Sequence, residues 1–377
     1  MHRQKQINNV YILTFHCAKN YGAILQAYAL QSTLYRYISN VYIVDYRPDF
    51  LIKPYKPLFK KICMLDFIHG NKLKYIVRII ISIASYYFFG YKIKLRRYSI
   101  FEQTYLKLSP WRHNATIDAV VLGSDQIWNS RITQMDRTYF YIDSPKGNTR
   151  VISYAASIGN DQSTKEELDF LRENIKNVDC ISVREETAQQ VLSAVCDKPI
   201  TTVLDPTLLI KSTDKEWHQL VGDNRYGRYL LLYQMSDDPN TLKICRYVAK
   251  MLELKIIEVL ANPFGHKNLN LHKHITTAGP EEFVTLFAHA EYVVTSSFHG
   301  TAFSLIFNKQ FVTVAHPTAG SRQRDLLSRI GLSDRVVSSV DDIPASDIDY
   351  SIVNARLDIE RQKSFAFIEK ALGLDGK

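Results

Sequence analysis

Apolar residues in this chain fall into short, β-branched runs such as Val10-Tyr11-Ile12-Leu13-Thr14 and Val293-Val294-Thr295. Each run is followed by a polar or Gly-bearing turn and then by a helical pattern of apolar positions three and four apart, the signature of repeated βα units around parallel sheets. In the first half the pattern predicts strands at 10–14, 41–45, 119–122, 151–155, 180–183 and 202–204, with helices at 23–37, 165–176 and 186–194 between them. A second series begins after Asp223-Asn224-Arg225-Tyr226-Gly227, with strands at 229–234, 255–259, 292–295 and 311–314 and helices at 240–252, 281–289, 301–308 and 322–330. The expected class is therefore α/β with two Rossmann-like parallel-sheet domains, 1–211 and 212–350, joined through the polar stretch 211–227. A last helix over 352–372, in the segment 351–377, is expected to pack back on the first domain.

Length and composition agree with that division. A chain of 377 residues is too long for one ordinary core and suits two. Hydrophobic residues at 46% and charged residues at 23% exclude wholesale disorder and a multi-span membrane protein. The N-terminal Met1-His2-Arg3-Gln4-Lys5 leads into an apolar stretch too short for a signal-peptide core, which reads as a first strand. Cys17, Cys63, Cys180, Cys196 and Cys245 are odd in number, scattered and without a CxxC pair, so reduced thiols and a cytoplasmic setting are expected.

The net charge of +9 is local. Positions 53–107 carry twelve Lys and Arg against only Asp66 and Glu102, a surplus of ten that covers the whole chain's excess. Within this segment, 79–91 is uncharged and aromatic-rich and is flanked by Lys72, Lys74, Lys94, Arg96 and Arg97. Thirteen residues fall short of the ~20 needed to span a bilayer. Two readings stay open: an element lying in the interface of an anionic membrane, or a basic insertion packing its apolar side on the first domain. Confinement of the charge to one apolar-rich segment, without a recognised fold motif, argues against nucleic acid as a partner.

Ligands of doubly wound sheets bind beyond the carboxyl ends of the strands, so the residues there carry the candidate chemistry. After the first strand, Asn20-Tyr21-Gly22-Ala23-Ile24-Leu25-Gln26 combines a tight turn at Gly22 with a helix N-terminus able to cradle a phosphate or carboxylate, or is simply a strand-to-helix turn. After the third, Gly123-Ser124-Asp125-Gln126-Ile127-Trp128-Asn129 offers Asp125 to take a proton from a hydroxyl and Trp128 to stack on a sugar; alternatively Ser124 and Asp125 cap a helix. Arg184, closing Ser182-Val183-Arg184-Glu185-Glu186, is shaped to grip an anion in bidentate fashion or to pair with a neighbouring acid. Asp205 in Leu204-Asp205-Pro206-Thr207 reads as a structural turn residue.

Thr295-Ser296-Ser297-Phe298-His299-Gly300-Thr301 carries the sharpest signal. A buried-type strand here delivers two hydroxyls, an imidazole and a glycine to the start of an apolar helix, where His299 faces the cleft and Gly300 admits close backbone approach to a ligand. Downstream, Arg322 or Arg324 can add a second cation. His266, His272 and His274 match no metal-ligand spacing and read as a solvated polar loop, so no metal is expected.

These motifs, in this order from about residue 8 to 335, resemble the polysaccharide pyruvyl transferase family. The resemblance implies a GT-B-like arrangement of the two domains and transfer of a pyruvyl group from phosphoenolpyruvate to a sugar of a polysaccharide or lipid-linked precursor, with no separate cofactor. It maps the family's cleft histidine onto His299 and its strand-end arginine onto Arg184. Some members have an arginine where this chain has Ser297, so the donor grip here is expected to draw on Arg322 or Arg324, with Asn20, Gly22, Ser297 and Gly300 around it. In that chemistry His299 is the acid and Asp125 the group that activates the acceptor hydroxyl, and the basic segment would hold the enzyme peripherally at the inner face of the membrane beside a lipid-linked sugar. The competing functions are a GT-B-type glycosyltransferase using a nucleotide-sugar and a non-catalytic glycan- or membrane-binding protein.

Overall fold

The run Val10-Tyr11-Ile12-Leu13 lies parallel to and in register with Ala119-Val120-Val121-Leu122, and all eight side chains are buried. Strands covered on both faces need no alternation, which is why they read as continuous apolar runs. The structure, a computed structural model, describes residues 7–55, 90–110, 117–141, 149–159, 162–236, 238–261, 273–315 and 320–374. Seven parallel strands form the first sheet: β1 (Asn9–Leu13), β2 (Asn40–Val44), β3 (Leu108–Ser109), β4 (Ala119–Leu122), β5 (Arg150–Ala156), β6 (Cys180–Val183) and β7 (Ile200–Thr202), in the order β3-β2-β1-β4-β5-β6-β7. The second sheet orders β8 (Tyr229–Tyr233), β9 (Lys255–Val259), β10 (Lys273–Ile275), β11 (Tyr292–Thr295) and β12 (Gln310–Thr313) as β10-β9-β8-β11-β12, again parallel.

Among the described residues the helices of eight or more residues are α1 (Tyr21–Leu34), α2 (Tyr91–Tyr105), α3 (Lys165–Ile175), α4 (Glu186–Ser193), α5 (Pro239–Met251), α6 (Pro280–His289), α7 (Phe298–Ile306), α8 (Ser321–Arg329) and α9 (Tyr350–Leu372). In the first sheet the strand order reverses between β1 and β4, and in the second between β8 and β11. Crevices open at such points, beyond the carboxyl ends of the strands. The segments that follow β1, β4 and β11 are the ones carrying Gly22, Asp125 and His299.

The expected return of the last helix is observed. Asp349 caps α9 through Ser351, and the helix then crosses to the first domain, where Ser364 Oγ accepts from the Leu204 amide at 2.9 Å and Arg361 Nε donates to Leu208 O at 2.7 Å. The stretch 211–227 joins the sheets but is not merely polar: Trp217 is fully buried, edge-on to Tyr28 of α1 and Phe303 of α7, so its indole is shared by both domains. Two domains joined across a cleft, with the terminal helix strapped back onto the first, is the GT-B arrangement.

Two short strands escaped the pattern. β3 has two residues, and β10 is a three-residue edge strand carrying His274, which corrects its placement in a solvated loop. His274 Nδ1 lies 2.9 Å from buried Glu258; His266 and His272 lie outside the described residues. Of the basic segment, 56–89 and with it Lys72 and Lys74 lie outside the described residues, while α2 braces the two domains. Lys94 is buried, and Arg97 donates to Thr277 O at 3.0 Å and pairs with Glu282 at 2.9 Å, so these two cations face protein rather than lipid. The opposite face of α2 leaves Lys92, Ile93, Arg96 and Ile100 exposed. Among the described residues no helix is long and apolar enough to cross a membrane. Cys17, Cys180, Cys196 and Cys245 are free thiols; Cys63 lies outside the described residues.

Candidate active site

Asp205 is the hub of the cleft. It ends the loop after β7 as an N-cap, and its Oδ1 accepts from the Thr207 amide (3.0 Å) and hydroxyl (2.8 Å). Its Oδ2 accepts from Arg184 Nη1 at 2.8 Å and Ser124 Oγ at 3.2 Å, and lies 3.8 Å from His299 Nε2. One carboxylate thus serves both the turn anticipated from sequence and, through its second oxygen, an arginine and a histidine that sequence reasoning did not connect to it.

Arg184 follows β6 and is almost wholly buried. Besides Asp205, its Nη2 is 3.6 Å from Asp125 and its Nε 3.8 Å from Glu185. Both of those nitrogens lack a hydrogen-bond partner, and the guanidinium lies 4.4 Å over the ring of Phe298, contributed by the second domain. Burial opposes the arginine's charge, but Asp205, Asp125 and Glu185 hold its pKa above the ordinary value. The Glu185 carboxylate turns back beneath it, accepting from Ser157 Oγ at 2.7 Å and the Ile158 amide at 3.2 Å, rather than merely decorating the first turn of α4.

His299 stands in the first turn of α7, which begins at Phe298, three residues before the expected start, with Ser297 at the N-cap. Its ring is seated on Gly22: a Cβ placed there would come 1.9 Å from Nδ1. The role of Gly22 is therefore to make room for the imidazole, and Asn20 caps α1 by accepting from the Ala23 amide at 3.3 Å. Nε2 of His299 is buried without a hydrogen-bond partner. Burial pushes the imidazole below its ordinary pKa; Asp205 and Asp125 favour the cation, and Arg184 and Arg322 oppose it. Asp205 is held below the usual carboxylate range: burial works against its charge, and His299 and Arg184 outweigh that.

The remaining candidates divide. Asp125 joins the site through Arg184; it adopts a left-handed conformation (φ 77°) and its Oδ1 accepts from the Gln126 amide at 2.9 Å. Neither Ser124 nor Asp125 caps the short helix Ser130–Thr133, a task taken by Asn129. Arg322, second residue of α8, is half-buried and close enough for its charge to act on His299, whereas Arg324 is exposed. Ser297 is buried beside Tyr233, to which it is hydrogen-bonded. Gly300 does not open the backbone to a ligand: a Cβ there would meet Thr295 Oγ1 at 2.1 Å, so it lets α7 pack on β11. Trp128 offers no sugar platform. It is 2% exposed, donates to Tyr139 O at 3.1 Å and stacks on Phe140.

The sequence model of the polysaccharide pyruvyl transferase family matches residues 20–317, a span holding every group just described except Arg322 and Arg324. The chain belongs to this family. No curated protein matches it significantly in sequence. Among solved structures it is similar to a UDP-N-acetylglucosamine 2-epimerase at 11% identity and TM-score 0.49, covering 97% of this chain and 95% of that one. It is also similar to the UDP-GlcNAc 2-epimerase of Methanocaldococcus jannaschii (12%, TM-score 0.42, 94% and 93% covered) and to that of Neisseria meningitidis (11%, TM-score 0.41, 98% and 94% covered).

A cavity of about 460 Å³ lies away from these groups, between the linker and α6. Of its charged lining, Arg97 is engaged with Glu282, Glu281 with Tyr105, and His289 with Gly222 O, while Asp223 and Arg225 belong to the linker turn. The cleft, by contrast, holds buried donors without partners. Among the described residues no group of three His, Cys, Asp or Glu side chains is arranged to hold a metal ion.

Proposed function

We propose that the chain transfers the pyruvyl group of phosphoenolpyruvate to two hydroxyls of a glycan, forming a pyruvate ketal and releasing phosphate. One observation carries the reading: Arg184 Nε and Nη2 and His299 Nε2, brought together by two domains, are buried nitrogens with no hydrogen-bond partner, and the two of Arg184 are donors. Buried polar groups are costly to leave unpaired, so a group of anion-binding donors is suited to an incoming phosphate or carboxylate.

In this mechanism Arg184, with Arg322 nearby, holds the donor's anionic groups. His299 gives a proton to the methylene carbon, so that C3 becomes a methyl group and C2 an oxocarbenium-like centre. A first sugar hydroxyl attacks C2 and loses its proton, for which Asp125 is the base. The C2–O bond to phosphate then breaks, and a second hydroxyl closes the ring. Its proton leaves with the phosphate, and the first hydroxyl's proton returns His299 to its starting form. An imidazole depressed by burial and by Arg184 and Arg322 is mostly neutral in the empty cleft. The donor's negative charge offsets the two arginines and raises that pKa, so the acid forms where the substrate is.

The acceptor is proposed to be lipid-linked, reached from an anionic membrane surface on the cytoplasmic side. Support comes from the outer face of α2, where exposed Ile93 and Ile100 stand beside exposed Lys92 and Arg96, directly after the apolar run 79–91. The test of the activity is incubation with phosphoenolpyruvate and a panel of synthetic glycosides, followed by phosphate release and by mass spectrometry for an added pyruvate ketal. A ketal product lost in His299→Ala supports the transferase; turnover of a nucleotide-sugar with phosphoenolpyruvate untouched would replace it.

A further inference from the structure

Lys94 spends a buried ammonium where a plain hydrocarbon would fit. It is 1% exposed on the inner face of α2 and forms no ion pair among the described residues. Nζ instead donates to Leu260 O at 2.6 Å and Ala261 O at 3.1 Å, carbonyls that follow β9 in the second domain, and lies 4.4 Å over the ring of Tyr21 in the first. Burial lowers its pKa to about 7, a measure of what the position costs. An apolar side chain there would avoid the cost of burying a charge but would leave the Leu260 and Ala261 carbonyls without this donor, so what the ammonium adds is the tie between α2 and the end of β9.

The contacts of Tyr21 say what the amine is tied to. Its ring stacks on Phe283 of α6 at 4.4 Å between centroids, and its hydroxyl donates to Ala278 O at 2.9 Å, both in the second domain. Its chain neighbour is Gly22, the seat of the His299 ring. The end of β9, the face of Tyr21 and the floor beneath His299 therefore meet at one amine carried by a third element.

We propose that Lys94 is a positioning residue for the transfer reaction, fixing Tyr21 and the end of β9 relative to each other so that Gly22 holds the His299 imidazole in its working orientation. It touches neither donor nor acceptor. The inference rests on the pyruvyl-transfer reading, and its test has a readout independent of turnover. Lys94→Met keeps the stem and removes the two carbonyl bonds and the charge. Loss of the seat is expected to cut kcat by about a hundredfold, the scale of a misplacement near 1 Å. The KM for phosphoenolpyruvate is expected to change less than about threefold, because Arg184 is untouched. In NMR titrations of the variant, the imidazole of His299 should move up toward the ordinary histidine value as it loosens from its buried seat. Tyr21→Leu, which removes the ring but leaves Lys94, should move the same titration the same way and serves if Lys94→Met does not fold. Wild-type kcat together with an unchanged His299 titration in a folded Lys94→Met overturns the proposal. If the wild-type protein does not consume phosphoenolpyruvate, the functional reading fails, and the His299 titration still decides on Lys94.

Discussion

His299 of the second domain occupies the space that a side chain at Gly22 of the first would need, with Nδ1 1.9 Å from the position of the missing Cβ. The contact joins the two halves of the cleft without a hydrogen bond, by exclusion alone. Gly22→Ala must displace the ring or part the domains, since real Cβ contacts are never that short. Interiors are too densely packed to absorb such a shift at no cost. We expect Gly22→Ala to fold, to lose roughly 1–3 kcal/mol of stability, and to lose turnover by about a hundredfold. Wild-type kinetics in the variant would show that the imidazole works from another orientation.

Asp205 binds Arg184 and faces His299 with the same oxygen, so Asp205→Asn alters both. Arg184 keeps its burial but loses its closest counter-charge, a change of the kind that costs about 3–5 kcal/mol; denaturant unfolding measures it. The imidazole loses the nearer of the two carboxylates that favour its cation, so its pKa should fall further below the ordinary value. Asn can still accept from Thr207, so a variant with normal stability and normal His299 titration would mean that Asp205 is only a helix cap.

The pH dependence follows from the same charges. The free-enzyme imidazole is depressed below its ordinary 6.5, so NMR should find His299 neutral at pH 7. Bound phosphoenolpyruvate should raise that titration, and kcat should fall as pH rises through the raised value, because the acid is the protonated form. The sign for stability is separate. Below pH 6.5 the unfolded chain takes a proton that the buried imidazole resists, so stability is lost as pH falls from 6.5 toward the folded-state value. His299→Gln should remove that share of the acid sensitivity. Donor binding that leaves the titration unmoved would detach His299 from the anion site.

Arg184→Lys tests the fork. Lysine retains charge but neither the two free N–H groups nor the flat face that rests on Phe298, so the two cations are not interchangeable here. We expect the KM for phosphoenolpyruvate to rise by about tenfold or more, for a loss near 1.4 kcal/mol, with Asp205 still paired. An unchanged KM would place the donor elsewhere in the cleft.

Legibility in the sequence followed burial. β11, covered on both faces, announced itself as Tyr292-Val293-Val294-Thr295. β10, with Lys-His-Ile at a sheet edge, is too short for any period to show. His299 and Arg184 are legible as candidates because both stand just beyond strand ends, the side on which doubly wound sheets bind ligands, although only His299 follows a strand at a point where the order reverses. Asp205 could not be valued, since its N-cap role with Thr207 fully explains Asp-Pro-Thr in the chain, and only the fold brings its second oxygen to Arg184. Trp128 misled because an indole beside an acid suits a sugar site as well as it suits a core, and its burial against Phe140 is a tertiary fact. Gly22 reads in the chain as a turn residue and Gly300 as a site of close approach to a ligand, whereas in the fold each makes room for a side chain, His299 and Thr295 respectively.

The outer face of α2 makes the membrane reading testable apart from the chemistry. Two exposed isoleucines seven residues apart, Ile93 (51% exposed) and Ile100 (47% exposed), share that face with Lys92 and Arg96, while the helix's other face is committed to the two domains. A cation near an anionic leaflet contributes about 1 kcal/mol, so Lys92→Gln and Arg96→Gln should each weaken binding to phosphatidylserine-containing vesicles by roughly fivefold. Both effects should shrink as salt is raised. Neither position belongs to the cleft, so turnover of a soluble glycoside should stay the same in both variants. Sedimentation with vesicles at low salt measures the first effect, and phosphate release the second. Equal binding by the wild-type protein and both variants would assign α2 to bracing the domains and remove the lipid surface from its role.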